Sequence, residues 1–275
     1  MQNNVELMRV AYDRIVADYD SRWSVHVAEP QRRLTRELRL LPGDRCADLG
    51  CGTGIDTLEL LKLATPGEVV AVDCSPGMLD TARTRAQTAG FPLTTRCEGA
   101  DEFIAHAEAA SFDVISLRFC LGYLDWRTAL PRAARLLRAG GRIGILTILA
   151  NSAPQAYTTY KHMVSELGLP DVPLTALTSL DPITERLAAG GTVIESAWQH
   201  DFRLEFESGE QLASWLQTSG IATSPALPGI PTAAVQALWR SFAERLEAFR
   251  EGDIVPLDFH LAGVVASLPE LAGHA

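Results

Sequence analysis

The stretch Cys46-Ala47-Asp48-Leu49-Gly50-Cys51-Gly52-Thr53-Gly54 decides the fold. It follows the turn Leu41-Pro42-Gly43-Asp44, begins as a short strand and runs into a helical pattern. Three glycines between a strand and a helix allow a tight turn and let a ligand approach the backbone closely. Without further support this is an ordinary strand-to-helix turn. The support comes from Val69-Val70-Ala71-Val72-Asp73, an apolar strand that ends in a carboxylate 23 residues after Gly50. A carboxylate in that place can accept both hydroxyls of a ribose. Ser75-Pro76 then opens the next helix with a capping hydroxyl and a first-turn proline.

Working outward, strands are predicted at Arg45–Asp48, Val69–Asp73, Leu93–Cys97, Phe112–Leu117 and Arg142–Leu149. Helices at Thr57–Ala64, Met78–Ala89, Glu102–Ala109 and Arg127–Arg138 alternate with them. This rhythm predicts an α/β fold, a Rossmann-like, seven-stranded, mostly parallel sheet with helices on both faces. The last two strands fall at Thr192–Phe206 and Ile254–Val265, with helices at Ser208–Gly220 and Thr232–Phe249 between them. One domain spans residues 1–275. Within it, 1–41 reads as an N-terminal helical lid, 42–150 as a ligand-binding core and 151–190 as an inserted helical cap. Residues 191–275 complete the sheet.

Composition narrows the function. The 275 residues are 47% hydrophobic and 21% charged, enough for a sizeable core. The formal charge is −10, from 24 basic and 34 acidic residues, which disfavours nucleic acid as a partner. No apolar run follows Met1 and none reaches membrane-spanning length, so a cytoplasmic chain without membrane insertion is expected. Cys46, Cys51, Cys74, Cys97 and Cys120 are scattered and read as reduced thiols, and no spaced set of ligands suggests a metal.

The glycine spacing separates two cofactor classes. A dinucleotide site expects G-x-G-x-x-G, whereas this loop is G-x-G-x-G preceded by Asp48. S-adenosylmethionine carries an ammonium and a carboxylate instead of phosphates, so an acid beside the loop suits its amino-acid end. From Tyr12 to Leu149 the chain resembles the class I S-adenosylmethionine-dependent methyltransferases, in the broad ubiquinone/menaquinone-biosynthesis-like group. The resemblance rests on the Asp48–Gly54 loop, Asp73 with Ser75-Pro76-Gly77-Met78-Leu79, Ser111-Phe112-Asp113-Val114-Ile115 and Leu136-Leu137-Arg138-Ala139-Gly140-Gly141.

The resemblance implies S-adenosyl-L-methionine as co-substrate. It lays Gly50, Gly52 and Gly54 along the methionine and ribose, puts Asp73 with its neighbour Cys74 at the ribose, and packs Met78 on the adenine. It brings Ala100 or Asp101 to the adenine amino group and Leu117 to the end of the fourth strand. Relatives place an aspartate where this chain has Ala100, and a histidine near Gly122 where it has none. Tyr19, on the apolar face formed by Tyr12, Ile15, Val16 and Tyr19, is the expected lid contact. The implied reaction is direct displacement at the sulfonium methyl carbon, toward a small apolar or aromatic acceptor, with oxygen ahead of carbon or nitrogen. Alignment and desolvation are its main requirements. Candidate bases or orienters are Tyr123, Tyr157, Tyr160, His162 and His200. The acceptor is expected between the N-terminal helix, the Phe119–Tyr123 turn and the segment Asn151–Pro173. A monomer or homodimer is expected. Two other readings stand beside this one: a nicotinamide-dependent oxidoreductase, for which Tyr157 and Lys161 have the spacing of a Tyr-x-x-x-Lys pair, and a donor-binding protein without turnover.

Overall fold

Short, fully buried strands set the architecture. In the computed structural model, which describes residues 2–166, 177–221 and 232–270, Cys46–Leu49 (β1) is buried at every position and Val69–Asp73 (β2) at all but the last. Such runs suit a sheet covered on both faces. With Thr94–Cys97 (β3), Phe112–Arg118 (β4), Leu137–Ile148 (β5), Val193–Phe206 (β6) and Val255–Ser267 (β7) they form one sheet in the order β3-β2-β1-β4-β5-β7-β6. Neighbouring pairs from β3 to β5 are parallel, and β7 lies antiparallel between β5 and β6. The strand order reverses between β1 and β4, the position where open α/β sheets bind ligands beyond the carboxyl ends of their strands.

The helices are Gln2–Tyr19 (α1), Ala28–Glu37 (α2), Ile55–Ala64 (α3), Pro76–Thr88 (α4), Ala100–His106 (α5), Trp126–Leu136 (α6), Pro154–Glu166 (α7), Asp181–Ala189 (α8), Gly209–Ser219 (α9) and Thr232–Glu247 (α10). One face of the sheet packs on α5, α6 and α8 through a core that includes Phe103, Leu130 and Leu187. The other packs on α2, α3, α4, α7, α9 and α10, with Trp23, Leu34, Leu60, Met163, Trp215 and Phe242 buried together. A π-helical turn, Asp20–Ser24, follows α1 and drives Trp23 into this core at 2% exposure.

Local chemistry explains the helix ends. The Ser75 hydroxyl accepts the Met78 N–H at 3.0 Å, and Pro76 occupies the first helical position of α4. Ser208 caps α9 by accepting from the Gln211 N–H at 3.1 Å. Two expectations change. The helix predicted to reach Arg138 stops at Leu136, because Leu137 already pairs with Phe112 ahead of a register shift in the β4–β5 ladder. Of the segment expected as one cap, α7 packs against α10, whereas α8 joins the ordinary helix layer against α6 and β6. Leu167 and the prolines Pro170 and Pro173 of that segment lie outside the described residues.

Candidate functional site

The glycine loop is fastened to the end of β2. Gly50 and Cys51 donate their N–H groups to the Val72 carbonyl at 2.8 and 3.0 Å. Gly52 donates to Asp73 Oδ2 and Ser75 to Asp73 Oδ1, both at 2.9 Å. The Asp73 carboxylate therefore spans the loop and the start of α4. Burial, only partly offset by these two N–H groups, pushes its pKa up to about 6. Gly50 has φ 74°, and a Cβ built on it would lie 2.6 Å from the Cys120 Cβ, so only glycine lets the loop and the end of β4 approach this closely.

A cavity of about 360 Å³ opens over the carboxyl ends of β1, β2 and β4. Gly50, Gly52, Asp73, Cys74, Met78, Ala100, Asp101 and Tyr19 lie on its wall. Met78 is buried at 1% exposure. Burial raises the pKa of Asp101, countered in part by the Asp125 backbone N–H. Val5 and Met8 of α1, Arg118, Cys120 and Asp125 also reach this wall and carry no signal in the local sequence.

Three residues expected at the donor lie elsewhere. Asp48 is 2% exposed and accepts from the Thr57 hydroxyl at 2.6 Å. It braces the loop from behind, because the strand's alternation turns its side chain toward α3, and burial raises its pKa. Gly54 is the N-cap of α3, and its Cα faces Ala82 of α4, so it serves helix packing. Leu117 is fully buried in the α5–α6 core. Beneath Asp48 a buried network centres on Arg118. It donates to Asp56 Oδ1 at 2.5 Å, Thr35 Oγ1 at 2.8 Å, and the Gln31 carbonyl and Ser116 Oγ at 3.0 Å each. The carboxyl of Asp56 is pushed up to about 6 by its burial, with Arg118 opposing.

The lid is held to the core by two aspartates. Asp13 accepts from Ser75 Oγ at 2.5 Å and from the Gly77 N–H at 3.0 Å, at the N-terminus of α4. Asp20 accepts from Thr53 Oγ1 and from Arg85, each at 2.6 Å.

A second cavity, of about 200 Å³, lies on the other side of the lid residues. Tyr12, Tyr19, Phe119 and Tyr123 line both cavities and form the partition between them. Phe119 adopts φ 56°, a left-handed conformation uncommon for a bulky residue, which turns the chain out of β4 into this partition. The Tyr12 and Tyr123 hydroxyls are 3.0 Å apart and hydrogen-bonded. Burial pushes both Tyr12 and Tyr19 well above the usual phenol range, so both remain protonated at neutral pH.

Tyr157 and Tyr160 of α7 line the second cavity with Tyr123. The far wall comes from Trp23, the end of α9 at Ser219-Gly220, Phe242 of α10 and Phe259 of β7. His162 is exposed on α7, and His200 sits on β6 beside Phe202 at 6.1 Å; neither lies on this wall, His162 because it turns to solvent and His200 because, though on the core face of β6, it stands beyond Phe202, which packs against Trp23 and Phe259. Tyr157 and Lys161 lie on the second cavity's wall and not on the first's, so they are not placed against a cofactor in the first. Among the described residues no cluster of three or more His, Cys, Asp or Glu is arranged to hold a metal ion, and no helix is long and apolar enough to cross a membrane.

Comparison with known proteins agrees with this geometry. Residues 46–141 match a family described as a methyltransferase domain. Over 222 residues the chain is 29% identical to the 27-O-demethylrifamycin SV methyltransferase of Amycolatopsis mediterranei, covering 80% of this chain and 68% of that one. It is 27% identical over 199 residues to the ubiquinone biosynthesis O-methyltransferase of Xanthomonas axonopodis, covering 72% and 71%. The fold matches the crystal structure of the Bacillus YcgJ protein with a TM-score of 0.64 at 17% identity, over 89% of this chain and all of that one. With its glycine loop, strand-end carboxylate and 3-2-1-4-5-7-6 sheet, the chain has the fold of the class I S-adenosylmethionine-dependent methyltransferases, and its residues 46–141 are similar to a methyltransferase domain.

Proposed function

We propose that the protein transfers the methyl group of S-adenosyl-L-methionine to an oxygen of a small, apolar or aromatic metabolite. The observation that carries this reading is the pair of cavities meeting at one partition, Tyr12, Tyr19, Phe119 and Tyr123. A donor in the first cavity and an acceptor in the second would meet there, as displacement in line with the breaking carbon–sulfur bond requires.

On this reading the ribose hydroxyls bond to Asp73, whose two oxygens are already oriented by the loop. The methionine end runs along Gly50 and Gly52, and the adenine rests on Met78 and Ala100 near Asp101. Gly52 supports this fit, since a Cβ there would point toward the Tyr19 ring at 3.8 Å and narrow the cradle. The second cavity supports a small acceptor: it is compact, mostly apolar, and carries Tyr123, Tyr157 and Tyr160 as its polar handles. Of the residues expected to orient the acceptor, these three keep that role, and His162 and His200 lose it. The names of the two relatives, both O-methyltransferases by description or product, favour oxygen as the methylated atom.

The test is direct. The purified protein is incubated with methyl-labelled S-adenosylmethionine and a panel of hydroxylated aromatic, quinol and polyketide acceptors, and products are read by mass spectrometry. Calorimetry with S-adenosylhomocysteine and with NADH runs in parallel. A labelled methyl ether supports the reading. Binding of NADH without binding of either sulfur compound overturns it in favour of an oxidoreductase, because fold alone does not dictate chemistry.

A further inference from the structure

We propose that the first cavity selects its ligand by the charge at sulfur: its carboxylate wall holds the cationic donor more tightly than the neutral thioether left after transfer, so that loss of the methyl group loosens the product. This rests on the methyl-transfer reading and deepens it.

The wall is the first ground. Asp73 at the end of β2, Asp101 on α5 and Asp125 before α6 all lie on it. One cation among the described residues joins them, Arg118, and its guanidinium is already bound to Asp56 at 2.5 Å beneath the glycine loop. Other arginines around the cavity have acids of their own: Arg9 pairs with Glu6 and Asp13, and Arg85 with Asp20. Arg132, exposed on α6, is the smallest of the influences on Asp101. Residues 1, 167–176, 222–231 and 271–275, outside the described ones, contain no lysine or arginine. Acid therefore exceeds base around this cavity, and a cleft lined by one sign of charge focuses the field within it.

The thiols are the second ground, because they report the sign of that field. Cys51 in the loop, Cys74 after β2 and Cys120 after β4 stand at three places around the cavity. All three have raised pKa values. Burial is the largest cause in each, and a carboxylate comes next: Asp73 for Cys51 and Cys74, Asp48 for Cys120. A negative charge is resisted from three directions, and the same potential favours a positive one.

The reaction supplies the third. The carbon–sulfur electron pair stays on sulfur, the methyl carbon bonds to the acceptor oxygen, and the hydroxyl proton passes to water. Sulfur goes from cation to neutral, while the adenosine and amino-acid ends are unchanged. Contacts to those ends hold donor and product alike, so the field at sulfur is what separates them. That field also stabilises the donor's ground state, and its benefit therefore falls on product release and not on the barrier.

The test is calorimetry on the whole protein with S-adenosylmethionine, S-adenosylhomocysteine and sinefungin, at about pH 7.5, above the ionisation of Asp73. The three ligands share both ends. Sinefungin replaces the methylated sulfonium by a carbon that bears an ammonium, so it keeps the charge without the sulfur. Both cations should bind roughly fivefold or more tightly than S-adenosylhomocysteine, the scale of a partly screened charge interaction. Asp101→Asn and Asp125→Asn each remove one wall charge with little change of shape, and each should cut that ratio by about half or more. S-adenosylhomocysteine binding as tightly as the two cations, or more tightly, overturns the proposal. So does a preference for S-adenosylmethionine that sinefungin does not share, which would trace it to the methyl contact, and so does a ratio unchanged in both variants. Binding of none of the three removes the donor reading itself, whereas S-adenosylhomocysteine bound above the cations leaves that reading standing and removes only this one.

Discussion

Replacing Asp73 by Asn separates stability from donor affinity, and the structure gives both magnitudes. In the free protein the carboxylate ionises near pH 6 instead of 3.8, so its ionised form is disfavoured in the fold. About two pKa units correspond to at most about 3 kcal/mol, and less because the carboxylate faces a cavity that water enters. Asn removes that penalty. It also turns an NH2 toward either the Gly52 or the Ser75 N–H, leaving one donor unpaired at a cost of about 1–3 kcal/mol. The two terms nearly cancel, so the melting temperature of the unliganded variant should stay within a few degrees of the parent. Donor binding has no such compensation. One ribose hydroxyl loses a charged acceptor, which costs about 1–3 kcal/mol, or roughly 5- to 150-fold in Kd. Thermal melting without ligand and calorimetry with S-adenosylhomocysteine read the two quantities independently. A Kd equal to the parent's would refute the ribose assignment. A large fall in melting temperature would show that Asp73 serves the fold first.

Other expectations follow from the same site. Donor affinity should be constant above about pH 7 and weaken as pH falls through 6, because ribose hydroxyls bond the ionised Asp73; the group's effect on folding stability has the opposite sign, favourable below about pH 4 and lost as pH rises through 6. Calorimetry across pH 5–8 checks this, and Asp73→Asn should flatten the curve. Gly50→Ala meets both a positive φ and the Cys120 Cβ at 2.6 Å, so it should cost at least about 2 kcal/mol and lower the melting temperature by roughly 5 °C or more. Asp20→Ala removes the bond to buried Thr53 and the partly exposed ion pair with Arg85, and should cost about 1 kcal/mol or more while weakening donor binding through the adjacent Tyr19. His162→Gln and His200→Gln should leave turnover with any identified acceptor unchanged, and a loss of tenfold or more in either would place that imidazole in the reaction.

The wall of the first cavity was legible because its signals are local. A glycine loop, a strand-end acid and a capped helix are each written within a few residues, and the alternation of strands and helices fixes their order in the sheet. The second cavity was legible only in outline. Tyr123, Tyr157 and Tyr160 were foreseen on its wall, but Trp23, Ser219, Phe242 and Phe259 reach it through packing across the whole chain. Asp48 misled for a related reason: a buried acid beside a loop reads the same in sequence whether it faces a ligand or a threonine on the next helix. Arg118, a charged residue at a strand end, gave no sign that Gln31, Thr35, Ser116 and Asp56 would enclose it. On α1 the face carrying Tyr12 and Tyr19 was visible, but the hydroxyl bond from Tyr12 to Tyr123 depends on a residue 111 positions away.

The shared partition has a thermodynamic consequence. Four side chains touch both cavities, so on the proposed assignment of donor and acceptor a ligand that orders them lowers the ordering cost left to the other. Linkage makes that gain reciprocal: whatever factor a bound acceptor adds to donor affinity, a bound donor must add to acceptor affinity. A substitution in the partition therefore changes two binding constants and their product, while one deep in either cavity changes a single constant. Acceptor preference can then drift through residues such as Phe242 or Tyr157 without disturbing the donor, and the partition is the part of the wall least free to change.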